Sequence, residues 1–270
     1  MVGKLIKHEI KSYLRTLLPV QAVLLGMGIL TRFVQFFESD STAYGISFWS
    51  SLILFIISIV ASLLLTFIIG IVRFYKNLFT GEGYLSFTLP VTPGQQLFTK
   101  ALVSFLFSVI TIIVILISSI IAMGTDVSIE VLKAVGYLLG KLFEETGVAN
   151  GLFYIIEVLL LILVAIICGY LLIYACISIG QLARKNKILA AVGVYFGYSV
   201  VLQIIGTIFV ALIATGVFAP IFRIISDFIE TYPLGSIHIG LILSILFIAV
   251  ISFVYYLITY FIIKKHLNLE

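Results

Sequence analysis

Charge is what this sequence has least of. Lysine, arginine, aspartate and glutamate make up 10% of 270 residues, against 62% hydrophobic ones. The mean hydropathy is +1.28. A soluble domain carries about a quarter of its residues as charges, so that class is excluded. Cysteine is nearly absent, and Cys168 and Cys176 fall inside one apolar run. They read as small buried hydrophobes rather than as a disulfide framework or a metal site. Several chemical signatures are missing as well. No GxxxxGK[ST] phosphate loop occurs, so the chain does not bind ATP in that manner. There is no His-Glu-x-x-His pair and no GxSxG elbow, and His8, His238 and His266 all lie near the ends of apolar runs, which argues against an enzyme. The apolar runs also lack paired acids in their middles, which argues against a carrier coupled to protons or sodium.

What is present is length of apolar chain. Six runs, at about 17–37, 48–72, 100–123, 152–179, 188–217 and 237–263, reach or exceed the roughly 20 residues a helix needs to cross a bilayer. The longer ones call for tilt or for helix extending past the lipid. The sequence therefore predicts an all-α membrane protein with six transmembrane helices in one transmembrane domain. Ahead of the first run, Leu5, Ile6, Ile10 and Leu14 recur at helical spacing against Lys4, Lys7, Lys11 and Arg15. This predicts an interfacial amphipathic helix over residues 1–16, retained because no small-residue cleavage site follows.

The formal charge of +4 does not point to nucleic acid, because the basic residues cluster beside apolar runs, where anionic lipid headgroups attract them. Their distribution sets an orientation. Lys4, Lys7, Lys11, Arg15, Arg73, Lys76, Lys100, Arg184, Lys185, Lys187, Lys264 and Lys265 fall on one side, leaving Arg32, Lys133, Lys141 and Arg223 for the other. Positive-inside bias then puts both termini in the cytoplasm. On the outer side, Ile129, Leu132, Val135, Leu139, Leu142 and Phe143 form an apolar stripe, as in a helix lying on the membrane over residues 128–146. Residues 218–233 are apolar but broken by Pro220, with Arg223 and Asp227 four apart, and read as a short re-entrant helix between the fifth and sixth spans.

The longest polar interruption is RFYKNLFTGEGYLSFTLPVTPGQQLFTK, from Arg73 to Lys100. Gly81, Glu82 and Gly83 make a turn, and Pro90 and Pro93 disfavour one continuous helix. Within the spans two charges stand out. Arg32 and Glu157 both sit toward the outer side, where each either snorkels to headgroups, pairs with the other, or lines a substrate exit. Gly193 and Gly197 form a GxxxG in the fifth span, a site of close helix packing.

The opening LIKHEIKSYLR, the six spans and above all RFYKNLFTGEGYLSFTLPVTPGQQLFTKAL resemble the permease subunits of bacterial ABC-2 type exporters, particularly small permeases of Gram-positive bacteria. The resemblance implies a cytoplasmic coupling helix within 73–99 that docks on a separate ATPase chain. On it Glu82 would make a polar contact, and Phe79, Tyr84, Leu85 and Phe87 an apolar anchor. It further implies a second permease chain, identical or paralogous, with ATP and magnesium held by the ATPase and no cofactor or metal on this chain. A multi-pass protein of the bacterial cell membrane, exporting amphipathic or hydrophobic cargo such as peptides or drugs, is the expected function. The readings set against it are a channel or sensor outside that family and a membrane-embedded enzyme.

Overall fold

The computed structural model describes residues 2–80, 83 and 91–265, whose regular structure is all helical. In chain order the helices are α1 (Val2–Gln35), α2 (Thr42–Phe79), α3 (Pro93–Thr146), α4 (Val148–Gly180), α5 (Lys187–Ala214), α6 (Ala219–Thr231) and α7 (Pro233–Lys265). Six stretches are long and apolar enough to cross a bilayer: α1, α2, α3 as far as Thr125, α4, α5 and α7. The chain is a multi-pass membrane protein on that ground. It divides into two compact units, Met1–Lys141 and Leu142–Glu270.

Local chemistry explains where the helices begin and break. Ser41 caps α2 by accepting from the Tyr44 amide at 3.2 Å, which starts the helix earlier than the apolar run alone suggests. α3 opens on a capping box: the Thr92 amide donates to Gln95 Oε1 at 3.1 Å and the Gln95 amide to Thr92 Oγ1 at 3.3 Å. Pro93 is the first residue of that helix, where its missing N–H leaves nothing unpaired. α3 breaks at Gly124, with φ 78° and ψ 174°. Glycine is required twice over here, since that backbone is left-handed and the Arg32 guanidinium fills the place of a side chain.

The sequence separates an interfacial helix at 1–16 from a span at 17–37, but a single helix, α1, runs through both and across Pro19. Its inward line is Glu9, Tyr13, Leu17, Leu24, Gly28 and Thr31. Leu14, on the apolar stripe read from sequence, lies off that line and is 44% exposed. The seam is turned toward a carboxylate because that carboxylate has cationic partners, described below.

In the first unit α1 lies along α2 and α3. Tyr13, Leu17, Val103 and Phe107 form one apolar cluster, and Leu24, Phe55 and Ala122 another. Gly28 brings α1 close to α3, since a Cβ there would stand 2.8 Å from the Ser118 carbonyl oxygen. Between the clusters run hydrogen bonds that a lipid-embedded bundle uses as glue, each worth about 0.6 kcal/mol. Gln21 Nε2 donates to Thr111 Oγ1 at 3.2 Å, and Thr66 and Thr111 share a hydroxyl contact at 3.0 Å. Higher up, Thr31 Oγ1 donates to the Ser51 carbonyl at 3.3 Å.

In the second unit α4 packs against both α5 and α7, and α6 against α7. Tyr198 and Tyr255 join α5 to α7 through their hydroxyls. α4 and α5 meet at Gly180, where an added Cβ would stand 2.6 Å from the Ala191 amide nitrogen. Elsewhere α5 is open, with Lys187 and Ala191 its buried residues. Gly180→Ala should therefore destabilise the detergent-solubilised protein by about 1–3 kcal/mol through overpacking. Gly193→Ala, with nothing within 4 Å of the new methyl, should be neutral or stabilising by up to about 1 kcal/mol. Thermal unfolding of the two variants beside the wild type checks this; equal effects would contradict the packing.

Candidate functional site

The polar stretch from Arg73 to Lys100 leaves the membrane helices and returns to them, and both its ends meet one carboxylate. Glu9 is 3% exposed. Its Oε1 accepts from Lys100 Nζ at 2.9 Å and lies 3.5 Å from Arg73 Nη1. Arg73 also donates to Ser12 Oγ and lies over the Tyr13 ring, 4.8 Å from its centroid. The Tyr13 hydroxyl in turn contacts Ser104 Oγ at 2.7 Å, and its ring stacks on Phe107 with centroids 5.0 Å apart. One carboxylate on α1 thus ties the end of α2 to the start of α3. A buried charge is tolerated only with partners that repay its lost hydration, and two cations close to one oxygen supply them.

Between these ends the structure places some predicted residues and not others. Phe79, the last residue of α2, is buried and packs edge-on against Phe74, with centroids 5.6 Å apart. It supports the base of the stretch rather than standing out from it. Glu82, Tyr84, Leu85 and Phe87 lie outside the described residues.

A second ionic group lies in the other unit. Both carboxylate oxygens of Glu157 on α4 are 3.0 Å from Nδ1 of His238 on α7. Their side chains are 14% and 20% exposed respectively. The imidazole stacks on Tyr154, with centroids 4.1 Å apart and planes at 20°, and meets the edge of Phe153. The Tyr154 hydroxyl donates to the Leu234 carbonyl at 2.8 Å. Two side chains of α4 therefore hold the first turns of α7.

Arg32 and Glu157, read from sequence as membrane-buried charges, each have a partner in their own unit. Arg32 Nη1 donates to Gln35 Oε1 at 2.9 Å and its guanidinium lies over Phe36, 4.9 Å from the centroid. Gln35 Nε2 then donates to the Ala122 carbonyl at 2.9 Å, beside the Gly124 break. Arg223 and Asp227 form no ion pair, and α6 carries its polar residues exposed. Gly193 and Gly197 face open space. Glu9 and His238 are the residues sequence reasoning missed. A lone acid in a basic amphipathic stretch, and a histidine a few residues inside an apolar run, were the available signals.

Among the described residues no cluster of histidine, cysteine, aspartate and glutamate could hold a metal ion. Cys168 and Cys176 are free thiols. No known protein family, curated protein or solved structure matches the chain.

Truncating Glu9 should leave both cations facing a gap. Glu9→Ala is expected to lower stability by about 3 kcal/mol, at the lower end for a broken buried pair because Arg73 is partly exposed. Glu38→Ala, an exposed acid, should stay within about 0.5 kcal/mol of wild type. Denaturation in detergent and limited proteolysis of the 80–92 stretch read both effects; an unchanged Glu9→Ala protein would remove the clamp from the account.

Proposed function

We propose that this chain is the permease subunit of an ATP-driven exporter of the bacterial cell membrane. It would pair with a separate ATPase chain and a second permease chain to move amphipathic or hydrophobic cargo, such as peptides or drugs, by alternating access. The observation that carries this reading is the Glu9 clamp, with Arg73 and Lys100 gathered on one carboxylate. A force applied to the stretch between them passes at once into α1, α2 and α3, which is what a stroke delivered from outside the membrane requires. An isolated polar loop on flexible tethers would dissipate it.

Other features agree. The chain lacks a phosphate loop of its own, so ATP and magnesium would sit on the partner. The basic residues favour cytoplasmic termini, which puts the 73–99 stretch on the side where an ATPase works. There Glu82 would meet a polar partner, with Tyr84, Leu85 and Phe87 as anchor and Phe79 beneath them. The 1–16 end of α1 would lie at the same membrane face, with Lys4, Lys7 and Lys11 exposed to anionic lipid. The outer side would carry the 128–146 helix, whose Leu132, Val135 and Leu139 are exposed as lipid contact demands, and α6 as the re-entrant segment.

A second permease chain is favoured by α5. The side-chain amide of Gln203 lies mid-helix, exposed and without a hydrogen-bond partner among the described residues. An amide left unpaired in hydrocarbon costs several kcal/mol, and another polar chain surface relieves it.

The test is isolation of the tagged chain from its native membrane in mild detergent. The expected result is a co-purifying chain with a phosphate loop, whose ATP hydrolysis rises on reconstitution with the permease. Glu82→Lys should reduce that stimulation by tenfold or more, about 1.4 kcal/mol of lost coupling, with the spans still inserted. A chain that brings down no ATPase and conducts ions alone would overturn the proposal.

A further inference from the structure

The Glu157–His238 pair lies across the contact of α4 with α7. Nδ1 of His238 faces both oxygens of the Glu157 carboxylate at 3.0 Å, and an ionised carboxylate, which only accepts, is satisfied there when that nitrogen carries the hydrogen. Donation from Nδ1 settles the neutral tautomer and leaves the Nε2 lone pair as the ring's remaining basic position. Among the described residues Nε2 has no hydrogen-bond partner, while the side chain keeps 20% of its surface exposed. The ring cannot swing away, because Tyr154 stacks on one face and Phe153 meets it edge-on. A carboxylate that orients one imidazole nitrogen and leaves the other open is the arrangement that makes histidine a proton acceptor.

We propose that Nε2 of His238 takes up a proton from water, and that this loading tightens the hold of α4 on the start of α7. In the step an N–H bond forms at Nε2, a hydronium ion becomes water, and the Nδ1–H bond to Glu157 persists. The pair passes from net −1 to neutral. A net charge among apolar helices is unfavourable, so the loaded pair keeps the α4–α7 contact closed more firmly than the unloaded one.

Among the described residues no other charge is paired with either partner. From α4 the neighbouring titratable group is Tyr154, whose hydroxyl is engaged by the Leu234 carbonyl. α6 packs on α7 and carries Arg223, Asp227 and Glu230, all exposed and none ion-paired to His238 or Glu157. α5 packs on α4 and its charged residue, Lys187, is at the far, N-terminal end of that helix. The segment that responds is defined by the same contacts. Leu234 and His238 lie in the first turns of α7, and only Tyr232 separates that helix from α6, so loosening the grip frees the α6–α7 corner.

Two measurements on the full chain in lipid nanodiscs test this, neither involving an ATPase or transport. The first is nitrogen-15 resonance of labelled histidine between about pH 5 and 8, assigned with His238→Gln. The Nδ1–H neutral tautomer at the alkaline end, converting to the doubly protonated ring at the acid end, is the expected result. A His238 ring that keeps one form throughout, or that is neutral with hydrogen on Nε2, would overturn the proposal. The second is hydrogen exchange of residues 233–238, corrected for intrinsic rates. Protection should rise toward acid by up to about tenfold per pH unit, the limit for one linked proton. His238→Gln, which keeps a donor for Glu157 but cannot titrate, should abolish the pH step, and Glu157→Gln, whose loaded state carries a net positive charge, should remove or reverse it. A step that survives in His238→Gln would show that another group senses the proton, and the assignment would fall.

Discussion

A buried carboxylate shared by two cations sets the geometry of the first half of this protein. Glu9 is withdrawn from water, and its charge is stable there only while Lys100 and Arg73 stay beside it. Those residues stand at opposite ends of the longest polar stretch, so the requirement of one charge for partners fixes where that stretch leaves and re-enters the helices. The packing around it follows. Tyr13 lies under the Arg73 guanidinium and reaches Ser104, and its ring stacks on Phe107. The basic face of α1 is thereby turned outward and the clamp is shielded from water.

The rest of the fold obeys the same logic in weaker form. In lipid, apolar contact distinguishes poorly between a neighbouring helix and an acyl chain, so register comes from polar contacts and close approaches. Gln21, Thr66 and Thr111 join three helices midway along the first unit. Gly28 and Gly180 let backbones meet. In the second unit the carboxylate–imidazole pair plays the part of the clamp, with one difference. Lysine and arginine keep their charge throughout the physiological range, whereas imidazole is the side chain that changes charge within it. The first unit is thus tied by charges that persist across that range, and the second by a pair that includes an imidazole.

How much of this could be read in the residues depends on the range of the interaction. The spans were legible because apolar run length is a local property. Their ends moved where a cap decided them, as Ser41 did for α2 and the Thr92–Gln95 box for α3. α1 runs unbroken across residue 16, and amphipathic periodicity alone treats its Glu9 as a solvent-facing charge. Its burial depends on a lysine 91 positions away, and nothing local announces that. Arg32 and Glu157 were recognised as charges in need of partners, yet Gln35 and His238 could be named only from coordinates. His238 reads locally as a boundary histidine, and its position opposite Glu157 is a matter of how α4 and α7 register. The tie between Arg73 and Lys100, though both were in view from the start, was equally invisible until a third helix supplied the anion.

The claim on which most depends is that Glu9 holds Lys100 directly, and exchanging the two charges tests it most sharply. Glu9→Lys and Lys100→Glu should each unfold the purified protein several degrees below wild type, since each places like charges together in a buried site. With both changes in one chain the Glu–Lys pair is restored in reverse, now with a cation at position 9 beside Arg73. The account predicts a midpoint for the double variant well above that of either single one, though below wild type because Arg73 then faces a lysine. A double variant as unstable as the sum of the two single changes would mean that Glu9 and Lys100 do not hold each other.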